Sequence, residues 1–348
     1  MTLKSLLRPA GLISLLFFTT ALVEVDAVLF DHANRTDQHG NDGVLLPRYI
    51  LELAQVVGSI TNDSGRGCRP GSVECGDEFY QVFENGPSSW TVVSKVTTTA
   101  SSTRQSSTTF CLAVFSDSGT VQDWIYENLD PRRSEYCGDN GSGCCRVRRG
   151  FYRSYHESGY RDELEQVLSD CVERTCPDND DKDCLVLAGF SQGAATAGVA
   201  ALQLSRFNPL VVGIGPPPTV FPDCSLTNTQ RWYSLINTVS TTDGLEYDTV
   251  PFLPGLGAVP LGHAFLLTED DSGVVYLGTD TVRDIPGPFK VEAHFIQGAM
   301  GRIRSLLDGT SGVDTIRASG SASGYACNFD FECESRVCDS DSKLCVAA

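Results

Sequence analysis

Positive charge is scarce in this sequence: 26 Lys and Arg stand against 44 Asp and Glu, for a net charge of −18. Such a surface repels nucleic acid and anionic membranes, so neither is expected as a partner. Histidine is scarcer still. There are five in the chain, and only His263 and His294 follow residue 191, which shortens the search for a general base in the second half. Long apolar runs are missing too. The stretch from Gly11 to Val23 is too short to span a bilayer comfortably. With Lys4 and Arg8 before it and Val25-Asp26-Ala27 after it, residues 1–27 read as a secretory signal peptide, so no stable membrane anchor is expected. Its charges cancel, so the mature chain keeps the full acidity, whose plain consequence is solubility.

Cysteine, by contrast, is abundant. Fourteen cysteines and sequons at Asn34, Asn62 and Asn140 fit an oxidising, glycosylating route to an extracellular location. Four of the cysteines, Cys327, Cys333, Cys338 and Cys345, crowd the C-terminus, spaced for two disulfides in a module too small to fold without them. A metal centre is the rival there, but the tail has no histidine and no CxxC spacing. The other ten suffice for five bridges whose connectivity spacing does not reveal. The acidic stretch Asp178 to Asp183 lacks the turn glycine and distal glutamate of a calcium loop and reads as a solvated turn. No metal site is expected.

Residues 28–348 suffice for one large domain with a small appendage. Val28 to Leu46 is polar and loop-like, and an apolar-periodic helix then runs from Pro47-Arg48-Tyr49 through Val57. Ser89 to Phe115 alternates apolar with Ser/Thr positions, as strands do, most clearly at Cys111 to Phe115. Glu163 to Glu173 reads as a helix, Trp232 to Val239 as a buried strand and Phe295 to Leu307 as an amphipathic segment. Strands and helices interleave, which predicts an α/β domain over 28–308 with a mostly parallel sheet flanked by helices. Residues 309–324, rich in Gly, Ser and Ala, have the composition of a flexible linker to the Cys-rich module at 325–348.

The segment that points to chemistry is Gly189-Phe190-Ser191-Gln192-Gly193. An apolar run, Cys184 to Ala188, precedes it and a helix-forming run, Ala194 to Leu204, follows. Strand, serine between glycines and helix make a nucleophile elbow, in which a tight turn lifts the hydroxyl clear of the sheet. A serine nucleophile needs a base for its proton, a carboxylate to orient that base, and donors for the developing oxyanion. In α/β-hydrolases these follow the serine in the order acid, then histidine.

Several segments taken in order resemble the class 3 (fungal-type) triacylglycerol lipase family. They are Phe115 to Trp124, Val147-Arg148-Arg149-Gly150-Phe151-Tyr152, the elbow, Asp248-Thr249-Val250-Pro251-Phe252-Leu253-Pro254 with Gly262-His263 after it, and Glu292-Ala293-His294-Phe295. Jointly they cover roughly residues 45 to 308 and are far more specific than any one piece. The resemblance implies Ser191 as nucleophile, Asp248 as orienting carboxylate and His294 as general base and acid, with backbone N–H groups of Gln192 and Ser118 as oxyanion donors. Asp243 competes with Asp248, which is preferred because Val-Pro-x-Leu-Pro follows it directly. His263 matches a family histidine outside the triad and is expected to be a buried, satisfied residue. Ser116-Asp117 stand where the family has Arg-Gly, Arg148 where it has His, and Gln192 where it often has Leu.

The implied activity is carboxylic ester hydrolysis through an acyl-enzyme, with no cofactor. A lipid or other acyl ester is the implied substrate, met at an oil-water interface if residues 121–129, carrying Trp124, Ile125 and Leu129, act as a lid. The elbow also resembles that of cutinases and small carboxylesterases. A feruloyl- or cutinase-like esterase and a non-catalytic binding homologue are therefore the alternatives.

Overall fold

Leu185–Phe190 is apolar from end to end, the composition of a strand covered on both faces. Its side chains divide with period two: Leu185 and Leu187 enter one hydrophobic core, while Val186, Ala188 and Phe190 enter a second core across the sheet. The computed structural model describes residues 45–62, 78–85, 89–99, 107–116, 132–137, 144–176, 184–221, 231–241, 244–252, 258, 262–267, 274–276, 289–309 and 315–317.

In chain order the elements are β1 (Leu45–Pro47), α1 (Arg48–Asn62), β2 (Glu78–Asn85), β3 (Ser89–Thr99), β4 (Ser107–Phe115), β5 (Arg133–Cys137), β6 (Cys144–Arg148), α2 (Arg149–His156), α3 (Arg161–Thr175), β7 (Leu185–Phe190), α4 (Gln192–Gln203), β8 (Leu210–Ile214), β9 (Trp232–Thr241), β10 (Gly244–Asp248), β11 (His263–Leu267), β12 (Val274–Tyr276), β13 (Phe289–Lys290), α5 (Ile296–Gly309) and β14 (Thr315–Arg317). The main sheet runs β12-β11-β9-β8-β7-β4-β3-β2. Its centre, β11-β9-β8-β7-β4, is parallel, and antiparallel partners close both ends. Helices α2, α3 and α4 line the first core and α1 and α5 the second, which gives the expected α/β-hydrolase architecture of a mostly parallel sheet between helical layers.

Most expected elements are present with altered ends. Helix α1 continues past Val57 to Asn62, with Gly58 packed directly against the Met300 side chain of α5. The expected 163–173 helix gains a turn and becomes Arg161–Thr175. A larger difference falls in the linker: Thr315–Arg317 pairs antiparallel with Leu45–Pro47, so these three residues are tied to the start of α1.

Two disulfides between described residues brace the sheet. Cys111–Cys171 joins β4 to α3, and Cys176–Cys184 ties the end of α3 to the residue before β7. None of the described cysteines is free. The signal-peptide segment, the candidate lid at 121–129 and the Cys-rich module lie outside the described residues. No described helix is long and apolar enough to cross a membrane.

Candidate active site

Ser191 sits between β7 and α4 with φ 53° and ψ −125°, a conformation that strains any residue bearing a side chain. Such strain costs on the order of 1–3 kcal/mol and persists only where the surroundings impose it. Here they do. The Ser191 N–H donates to the Ile214 carbonyl of β8 at 2.8 Å, while the Ser191 carbonyl accepts from the N–H of Ala194 at 3.0 Å. The flanking glycines leave room for nothing larger: a Cβ on Gly189 would lie 2.6 Å from the Ala194 nitrogen, and one on Gly193 would lie 2.6 Å from the Ser116 carbonyl carbon.

The acid arrives by a route the sequence hides. Strand β9 pairs with β8 and β11 through Trp232 to Asn237, then continues beyond them as Thr238 to Thr241. Strand β10 folds back along that extension, with Gly244 opposite Thr241 and Tyr247 opposite Thr238, so its last residue, Asp248, returns to the carboxyl edge of the parallel strands. Asp243, the competing carboxylate, belongs to the link between β9 and β10 and lies outside the described residues.

Parallel pairing of β13 with β10 sets Lys290 beside Asp248, and the 3-10 turn Val291–His294 then carries the imidazole over the carboxylate. His294 Nδ1 is 2.9 Å from both Asp248 oxygens, and His294 Nε2 is 2.7 Å from Ser191 Oγ. Asp248 Oδ1 also accepts the Val250 N–H at 2.9 Å. The Asp248 side chain is 1% exposed and that of His294 14%, so the carboxylate is sealed while the base keeps a solvent-facing edge. Phe190 stacks on the imidazole with centroids 5.0 Å apart, and Asn237 of β9 donates to the carbonyl of Ala293, the residue before the base, at 2.8 Å.

Ser191, His294 and Asp248 are thus brought together, and the arrangement can pass a proton from the hydroxyl to an imidazole oriented by a buried carboxylate. His263 is not part of it. That residue opens β11, is partly rather than fully buried, and leans on the Tyr233 ring at 6.0 Å. Gln192 opens α4, so its N–H is among those the helix does not use internally, and its side chain donates to Ser154 Oγ of α2 at 3.2 Å. Ser118 lies outside the described residues. Arg148, in the place of the family's histidine, is fully buried, and its N–H donates to the Thr219 carbonyl at 2.9 Å.

Asn237 and the stacking role of Phe190 were not foreseen from the sequence. Phe190 lay inside the recognised elbow, but nothing in the order of residues signals which ring it meets.

Residues 112–256 match the family described as Lipase (class 3). Among solved structures, the chain is similar to the Lip2 lipase of Yarrowia lipolytica, with a TM-score of 0.50 and 14% identity over 74% of this chain and 96% of that one. It is also similar to the mono- and diacylglycerol lipase of Aspergillus oryzae, with a TM-score of 0.46 and 16% identity over 73% of this chain and 97% of that one. No curated protein matches the sequence. The first likeness establishes a common fold, and the family match supplies the chemistry that goes with the elbow. Residues 112–256 are thus similar to the class 3 lipase family, and the chain is a carboxylic ester hydrolase of α/β-hydrolase fold.

Proposed function

We propose that the chain is a secreted lipase-like enzyme that cleaves carboxylic esters of lipids through a Ser191 acyl-enzyme. The observation that carries this reading is the 2.7 Å contact between Ser191 Oγ and His294 Nε2, with Asp248 at 2.9 Å on the other ring nitrogen. Ser191 Oγ attacks the ester carbonyl carbon while its proton passes to His294 Nε2, and Asp248 holds the imidazolium through Nδ1–H. The tetrahedral oxyanion is bound by the N–H of Gln192 and, in the expected arrangement, that of Ser118; each such donor is worth about 3 kcal/mol of barrier. Collapse breaks the bond to the alkoxy oxygen, which takes the proton from His294 and departs as the alcohol. Water then repeats the sequence on the acyl-enzyme, releasing the acid and restoring the Ser191 hydroxyl.

An apolar acyl ester suits the surroundings. Phe295 follows the base directly and is the one large hydrophobic side chain exposed among the described residues, at 56%. An exposed apolar ring one residue along the chain from the base is the described feature that supports a lipid over a polar polymer ester. Secretion is supported by the absence of free thiols among the described cysteines.

The test is hydrolysis of nitrophenyl acyl esters from acetate to oleate, below and above their solubility limits, by the parent and by Ser191→Ala. Activity that rises with chain length and is lost in Ser191→Ala supports the reading. Residual turnover in that variant within tenfold of the parent overturns it.

A further inference from the structure

We propose that Gly215, which directly follows β8, is a positioning residue of the ester-hydrolysing site: its lack of a side chain is what lets Asp248 and His294 approach each other. This rests on the Ser191–His294–Asp248 reading above and goes beyond it, because Gly215 lies in none of the sequence segments that pointed to the site.

Gly215 has φ +57°, and its N–H donates to the Leu235 carbonyl of β9 at 2.8 Å. The residue before it, Ile214, accepts the Ser191 N–H at 2.8 Å. One dipeptide at the tip of β8 therefore holds the nucleophile's backbone by a hydrogen bond and rests its next Cα against the acid and the base. A Cβ built on Gly215 would lie 2.9 Å from Asp248 Oδ2 and 3.1 Å from both Cε1 and Nδ1 of His294. Favourable carbon contacts begin near 3.5 Å, so a methyl group there would push the pair by roughly half an ångström.

Neither partner has room to yield harmlessly. Asp248 is buried and its Oδ1 is fixed by the Val250 N–H, while His294 is stacked on Phe190. The displacement therefore opens the Nδ1–carboxylate contact or the Nε2–Oγ contact. Misplacement of a catalytic group by about 1 Å costs on the order of 100-fold, so Gly215→Ala is expected to lower kcat by about 10- to 100-fold while leaving KM for a soluble short-chain ester within about twofold.

The control is Gly159→Ala. Gly159 has φ +76° with no atom within 4 Å of its built Cβ, so that variant imposes left-handed backbone strain without a collision and should keep kcat near the parent value. The decisive measurement is a double-mutant cycle on nitrophenyl butyrate with Gly215→Ala, Asp248→Ala and the pair. Removing the carboxylate takes away the nearer of the two groups the methyl meets and frees the imidazole, no longer held at Nδ1, to shift aside, so Gly215→Ala should lower kcat by less than about threefold in the Asp248→Ala background. Loss of the far-downfield proton resonance of the imidazole–carboxylate hydrogen bond in Gly215→Ala would accompany this. Parent-like kcat in Gly215→Ala, or an equal fold-loss in both backgrounds, overturns the inference.

If Gly215→Ala fails to fold, thermal unfolding of the double variant decides instead. A regained transition supports the collision with Asp248, and a double variant as unfolded as the single one refutes it. Parent-like turnover in Asp248→Ala alone would remove the triad reading itself, an outcome distinct from a failure confined to Gly215.

Discussion

Replacing Asn237 with Leu separates activity from stability in a way that follows from its two ends. Its Nδ2 donates to the Ala293 carbonyl at 2.8 Å, and the residue is buried. Its Oδ1 is also buried and, among the described residues, has no hydrogen-bond partner. Leu, of similar volume, strands the Ala293 carbonyl, which costs about 1–3 kcal/mol, but also removes the stranded Oδ1, which returns a similar amount. Net stability should therefore change by no more than about 1 kcal/mol, or about 2–4 °C in Tm for a domain of this size. Activity should fall much further, because Ala293 directly precedes the base and its carbonyl ties the turn carrying His294 to β9. A base released by up to 1 Å loses about 10²-fold in kcat. The assay pairs nitrophenyl butyrate kinetics with calorimetric unfolding of the same preparation. A kcat within threefold of the parent, or a loss of activity matched by wholesale loss of Tm, would refute the reasoning.

Two further outcomes are expected. Substituting Ala for both Cys111 and Cys171, whose bridge spans 60 residues between β4 and α3, should lower the guanidinium unfolding free energy by about 4 kcal/mol on the loop-entropy account, and an unchanged midpoint would contradict it. His156, stacked on Tyr152 at 4.0 Å, has its pKa lowered below the ordinary 6.5 by burial and then by the nearby Arg161 charge. The unfolded chain therefore binds a proton that the folded chain resists, so this contribution is present above pH 6.5 and lost as the pH falls below it. His156→Gln should flatten the stability profile on that acidic side, and an unchanged slope in a pH series of unfolding curves would count against the assignment.

How much of this was readable beforehand depended on the range of the physics involved. The elbow was legible because strand, turn and helix requirements fall on adjacent residues and Gly189 must be small for the local reason that Gly193 and Ala194 lie against it, whereas the backbone that keeps Gly193 small is that of Phe115 and Ser116, far away in the chain. The parallel sheet was legible from the apolar runs at 184–188 and 232–239. The β9–β10 hairpin was not, since Thr238 to Glu246 is rich in Ser and Thr, carries Gly244, and shows no alternation that marks it as paired. Helix α2 and the β5–β6 ribbon escaped notice for a like reason: Arg148, buried here, gives a polar reading to a segment that packs inward. Gly215 and Asn237 belong to a third kind. Their roles exist only once β8, β9 and the 3-10 turn at 291–294 lie side by side, and no local pattern carries that adjacency.

The most direct measurement of the central claim is covalent labelling by a fluorophosphonate probe, followed by peptide mapping of the parent, His294→Ala and Asp248→Ala chains. The account predicts a single adduct on Ser191 in the parent, with the labelling rate cut by at least about 10³-fold in His294→Ala. An adduct on another residue, or parent-like labelling of Ser191 without His294, would contradict it.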